Sequence, residues 1–154
     1  MPHGIHKQEL AIPIENVWSF VSDMNNWAPL VPGYIDHSIL NEKQSTWKFK
    51  GEIGVIQKTI SLKIDITKWQ KPNLVTFDLT GLNENFKGEG YFEAESLANR
   101  QSNITGYLDI KARGMKGPMI NPLLKSFVPK TTTDLTAAIA EKLNQSTIQQ
   151  VNTD

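Results

Sequence analysis

The chain has 154 residues, 39% of them hydrophobic, with sixteen basic residues against sixteen acidic ones. That length reads as a single domain, residues 1–154, and the balanced charge gives no footprint for nucleic acid or an anionic membrane. Cysteine is absent, which excludes disulfides, thiol nucleophiles and thiolate zinc sites and fits a cytoplasmic protein. No apolar run approaches the roughly 20 residues of a membrane-spanning helix. Met1-Pro2-His3-Gly4 lacks the basic-then-apolar order of a secretory signal.

In chain order, His6 to Ile12 reads as a first strand, ended by Pro13, which suits the first turn of a helix. Ile14, Val17, Trp18 and Val21 then recur at helical spacing. Asp23 or Ser22 is positioned to cap a second short helix through Trp27. Pro29 and Pro32-Gly33 make a rigid turn into a second strand that holds or borders His37.

The middle of the chain alternates with a period of two. Trp47, Phe49, Gly51 and Ile53 oppose Lys48, Lys50 and Glu52, and Ile60, Leu62, Ile64 and Ile66 oppose Ser61, Lys63 and Asp65. Val75, Phe77 and Leu79 follow the same rule, as do Phe86, Gly88, Gly90, Phe92 and Ala94, then Ile104, Gly106, Leu108 and Ile110. Such repetition predicts an antiparallel meander with one wet face and one covered face. Lysines 43, 48, 50, 58 and 63 are interleaved with Glu42, Glu52 and Asp65, the mark of a solvated sheet face. Turns fall at Asn41–Gln44, Lys71–Asn73, Asn83–Asn85 and Leu97–Arg100.

The period then switches. Ile120, Leu123, Leu124, Phe127, Val128, Leu135, Ala138, Ile139 and Leu143 form a stripe of 3.6-residue spacing. The helix is expected to start near Pro122 and to kink or split at Pro129, with Thr131–Asp134 re-capping it. From Asn121 to about Ile148 it measures roughly 40 Å, at about 1.5 Å per residue. Beyond it lies a polar end, Gln149–Asp154, expected to fray.

A sheet with one apolar face and one long apolar-striped helix makes a two-layer α+β domain. Its concave face is the candidate site. From the sheet it is expected to present Trp47, Phe49, Ile64, Phe77, Leu79, Gly90, Phe92, Ile104, Gly106 and Leu108. The helix would add Leu123 and Phe127, the segment before it Met119, and the early turn Trp27 and Tyr34. Glycines on a covered strand face either bend the sheet or leave room for a ligand. The Gly114–Pro118 segment with Met115 and Met119 is either a gate or a packed hinge loop. This face carries no evident acid, base or nucleophile, so no catalytic residue, metal ligand or cofactor is assigned, and any ligand is held by burial. His3, His6 and His37 have no metal-site spacing and read as surface residues.

The opening, Pro13 through the Pro32-Gly33-Tyr34 turn, followed by a meander and a long terminal helix, resembles the START-like (SRPBCC, helix-grip) superfamily. This is the polyketide cyclase/dehydrase and lipid-transport group. The resemblance implies a curved antiparallel sheet wrapped around a long C-terminal helix, with two short helices after the first strand. Within the group the chain is most similar to the carbon monoxide dehydrogenase G-like branch, whose members help attach partner enzymes at membranes and often show Pro-Gly-Cys where this chain has Pro32-Gly33-Tyr34.

Three readings follow. The first is binding or transport of a small hydrophobic molecule, such as a lipid, quinone or polyketide, between sheet and helix. The second is a polyketide cyclase-like enzyme, favoured if Tyr91 or Tyr107 points inward. The third is an assembly factor for a partner oxidoreductase, which leaves a partner protein or a homo-oligomer open.

Overall fold

The computed structural model describes residues 3–53, 56–98 and 100–153, with backbone alone for residues 53, 56 and 146–153. The side chain of Ile53, expected on the covered face, therefore lies outside the described residues, as does Asp154.

Strand β1 (His3–Leu10) leads into helices α1 (Ile14–Val21) and α2 (Met24–Trp27) and a 3-10 turn (Ala28–Leu30). Six strands follow: β2 (Tyr34–Ile39), β3 (Gln44–Ile53), β4 (Ile56–Gln70), β5 (Leu74–Gly81), β6 (Phe86–Leu97) and β7 (Gln101–Ala112). Helix α3 (Gly117–Thr153) closes the chain. The strands form one antiparallel sheet in the order β1-β7-β6-β5-β4-β3-β2. The α1–α2 segment thus carries the chain from one edge of the sheet to the other. Asp23 caps α2 by accepting from the Asn25 amide at 3.0 Å.

The α+β helix-grip architecture and the alternation both hold. Trp47, Phe49, Ile64, Phe77, Leu79, Ile104 and Leu108 are buried, whereas Lys48, Lys50, Lys87 and Glu93 are exposed. Bulges between Tyr34 and Asp36 and between Ile66 and Lys68 add bend to β2 and β4.

Three boundaries differ from the sequence reading. Strand β1 spans His3–Leu10 because every residue from His3↔Asp109 to Leu10↔Ser102 has a partner on β7. Helix α3 begins at Gly117, so Pro122 lies in its second turn and Met119 in its first. It also continues through Pro129 to Thr153 without splitting. A proline removes one helical hydrogen bond, but here the helix packs on β1 and β7, and tertiary packing supplies most of a helix's stability. Thr131–Asp134 accordingly lies inside the helix. Thr132 and Thr136 donate back to the carbonyls of Val128 and Thr132, at 2.7 Å each, and are buried.

Candidate functional site

The aromatic half of the interface is built from α2 inward. Trp27 packs edge-on to Trp47, with centroids 5.1 Å apart, and lies 6.2 Å from Phe77. Its indole donates to the Val21 carbonyl at 2.9 Å. Trp47 donates to Ser45 Oγ at 2.8 Å, and Ser45 in turn donates to Met24 Sδ at 3.3 Å. This chain of donors satisfies the buried polar atoms and ties α2 to β3.

Beneath Trp27 lies a cavity of about 40 Å³. Five of the expected site residues border it: Trp27, Phe77, Phe92, Gly106 and Leu108. Thr132, Leu135, Thr136 and Ile139 of α3 close its other side. Such a volume holds a few water-sized molecules, well below the roughly 300–1,000 Å³ of a typical ligand pocket.

The glycines explain why the space is small. A Cβ on Gly90 would lie 2.6 Å from Phe77 Cζ, and one on Gly51 2.7 Å from Ile60 Cδ1. A Cβ on Gly106 would overlap Thr136 Oγ1. Neighbouring side chains already occupy the room that these glycines leave.

The larger hollow is at one end of the interface, an open groove of about 640 Å³. Buried Ile60 of β4, Phe86 of β6 and Ala112 of β7, with half-buried Ile120 of α3, form its floor. Leu82, Met115 and Met119 border it with 56%, 101% and 70% of their surface exposed. Its walls are tied down by hydrogen bonds. Asn121 on α3 pairs with both backbone groups of Ala112, donating to its carbonyl at 3.0 Å and accepting from its amide at 2.8 Å. The Arg113 amide donates to the Asn85 carbonyl at 2.8 Å. Asn83 accepts from the Ser61 amide and donates to the Thr59 carbonyl. Gly114 turns the chain with φ +76°, where a side chain would be strained.

Met119 is the expected site residue that borders this groove. Tyr34, Trp47, Phe49, Ile64, Leu79, Gly90, Ile104, Leu123 and Phe127 border neither hollow. Leu123 and Phe127 are half-buried against the core. Tyr34 shares a hydrogen bond of 2.6 Å with His37 Nδ1, and His37 Nε2 lies 2.7 Å from Asn25 Oδ1. Asn25 Oδ1 only accepts, so Nε2 is the donor there, and in the neutral ring Nδ1 accepts from the Tyr34 hydroxyl. His37 is therefore a half-buried link between α2 and β2, not the exposed residue expected from the sequence, because Tyr34 and Asn25 converge on it from two elements. His6 is likewise half-buried, 3.4 Å from Gln8 Oε1, because its side of β1 lies under α3. No group of three or more His, Cys, Asp or Glu suited to a metal occurs among the described residues. Sequence reasoning missed Ile60, Leu82, Phe86, Ala112, Arg113, Lys116 and Ile120 as a group; the Gly-Met segment before α3 was the one signal pointing to this end.

Tyr91 and Tyr107 alternate with the buried positions of β6 and β7, are half-buried and stack at 5.0 Å, and both also border the small cavity beneath Trp27. Burial, followed by the carboxylates of Asp109 and Glu89, raises the Tyr107 hydroxyl above the ordinary tyrosine value.

A family model of the SRPBCC type matches residues 1–148. The chain belongs to the START-like superfamily. Solved structures agree on the START-like fold. A conserved protein from Geobacillus kaustophilus is similar at 16% identity and TM-score 0.78, covering 94% of this chain and 96% of its own. The ZhuI aromatase/cyclase from Streptomyces sp. R1128 aligns at 14% identity and TM-score 0.72, over 93% of each chain. A START superfamily protein from Mycobacterium smegmatis aligns at 20% identity and TM-score 0.72, covering 93% of this chain and 97% of its own. No curated protein matches the sequence. The narrower likeness to the carbon monoxide dehydrogenase G-like branch gains no support from these START-like relatives. No helix among the described residues is long and apolar enough to cross a membrane.

Proposed function

We propose that this START-like chain, acting as one domain, binds a small hydrophobic molecule in the groove at the start of α3. The observation that carries this reading is the groove itself: about 640 Å³, with Ile60, Phe86, Ala112 and Ile120 along it and flexible Met115 and Met119 at its rim. Methionine adapts to ligands of irregular shape. Burial at roughly 25 cal/mol per Å² supplies the affinity. The residues around Trp27 and Phe77 serve in this reading as the packed wall behind the site. Similarity to an aromatase/cyclase keeps ring-forming chemistry as the contrasting reading, with Tyr91 and Tyr107, which border the small cavity beneath Trp27, as its candidate polar groups.

The test is titration with a neutral, environment-sensitive apolar probe. Saturable binding that persists at high salt is expected, since burial is not screened. Ile120→Glu should weaken it at least about tenfold, by placing a charge in the apolar groove. An absence of binding by folded wild type, or full binding by the folded Ile120→Glu variant, would refute the groove.

A further inference from the structure

We infer that the groove selects an amphiphile with an anionic head group, specifically a single-chain carboxylate seated on Arg113 and Lys116. This rests on the proposed apolar binding at the same groove and adds the chemistry of the ligand's polar end.

Four ionisable side chains border the groove: Lys58, Glu84, Arg113 and Lys116. Lys58 and Glu84 neutralise one another at 2.6 Å. Arg113 and Lys116 are exposed and have no carboxylate partner among the described residues. Arg113 also borders a neighbouring hollow that holds Asp65, Asp78, Glu89 and Asp109, none of them within salt-bridge distance, whereas Lys116 borders the groove alone. The two cations lie beside the apolar residues, so the groove offers a wet cationic rim and a greasy interior.

The first turn of α3 contains no acidic residue to answer this charge. Nor does its backbone offer free donors. The Gly117 amide donates to the Gly114 carbonyl, those of Met119 and Ile120 donate to the Lys116 carbonyl, and Pro118 has none. A bound anion is therefore held by side chains. The guanidinium fork of Arg113 matches the two oxygens of a carboxylate, with Lys116 as a mobile second charge. The acyl chain then lies along Ile60, Phe86 and Ile120. The groove's volume suits one molecule, within the roughly 300–1,000 Å³ range of small-molecule sites.

The experiment compares a fluorescent polyene fatty acid with its methyl ester, which has the same chain and no charge. Wild type should bind the acid about tenfold more tightly than the ester at low salt, the scale of one charge-assisted hydrogen bond at a partly exposed site. Added salt should shrink that ratio. The double variant Arg113→Gln, Lys116→Gln should bind acid and ester alike, with the affinity of wild type for the ester. Circular dichroism serves as the folding control. Equal binding of acid and ester by wild type would overturn the assignment while leaving the groove intact. A preference for the acid that survives in the folded double variant would also overturn it. Binding of neither compound would remove the groove reading and this one together, as would association only with anionic vesicles.

Discussion

Gly106 on β7 and Thr136 on α3 mark a point where sheet and long helix touch so closely that one hydrogen in place of a methyl group decides the fit. A Cβ on Gly106 would overlap Thr136 Oγ1 and stand 3.3 Å from Thr136 Cβ. Gly4 repeats the device on β1, where a Cβ would lie 2.6 Å from Pro129 Cα and 2.8 Å from Thr132 Oγ1. The helix runs its buried threonines along these gaps.

Gly106→Ala should therefore destabilise the fold by about 1–3 kcal/mol, as overpacking does. Thr136→Ala in the same chain should recover most of the loss, because the nearest atom is removed. Urea unfolding of both variants and the double variant measures the coupling. Additive losses would mean that the two residues do not meet as described.

Asn121 substitutes for a strand partner at Ala112. Asn121→Ala leaves an amide and a carbonyl unpaired at the groove's edge, at a cost of about 1–3 kcal/mol. The Ala112 and Arg113 amides should also exchange with solvent faster. Unchanged exchange and stability would show that β7 ends without help from the helix.

Tyr107 should ionise at higher pH than an ordinary tyrosine. Its folded value lies above the ordinary 10.0, so the folded state holds the proton longer. The stability this contributes is fully present below the ordinary value and is lost as pH rises through the folded value. Asp109→Asn should move the titration only part of the way back, since burial is the larger cause. Ultraviolet tyrosinate titration, with Tyr107→Phe to assign the step, checks this. A complete return to ordinary behaviour in Asp109→Asn would make the carboxylate the larger cause.

The sheet was legible because burial on one face of an antiparallel strand leaves a period of two in the sequence. Trp47, Ile64 and Ile104 could be placed inward from that pattern alone, and each is buried. Pro13 marked the start of α1 for an equally local reason. Helix α3 was harder. Gly117 and Pro118 read as part of a gate or hinge loop before the helix, yet they begin it, and Pro129 survives inside it because of contacts with distant strands. The glycines were ambiguous in principle: a missing side chain does not reveal whether a neighbour or a ligand fills the gap. Phe77 fills it at Gly90 and Thr136 at Gly106. Of the groove only the Gly-Met segment before α3 was legible, because the rest arises where residues 82–86 and 112–120 meet, and no periodicity records the meeting of two loops.

Amide chemical-shift mapping with a neutral apolar probe tests the central claim most directly, because it reports where binding occurs as well as whether it does. Shifts are expected to cluster at Ile60, Phe86, Ala112, Arg113 and Ile120, on both sides of the groove. Shifts confined to the surroundings of Trp27, Phe77 and Thr136, or to the exposed Ile35 and Ile39 on β2, would contradict it.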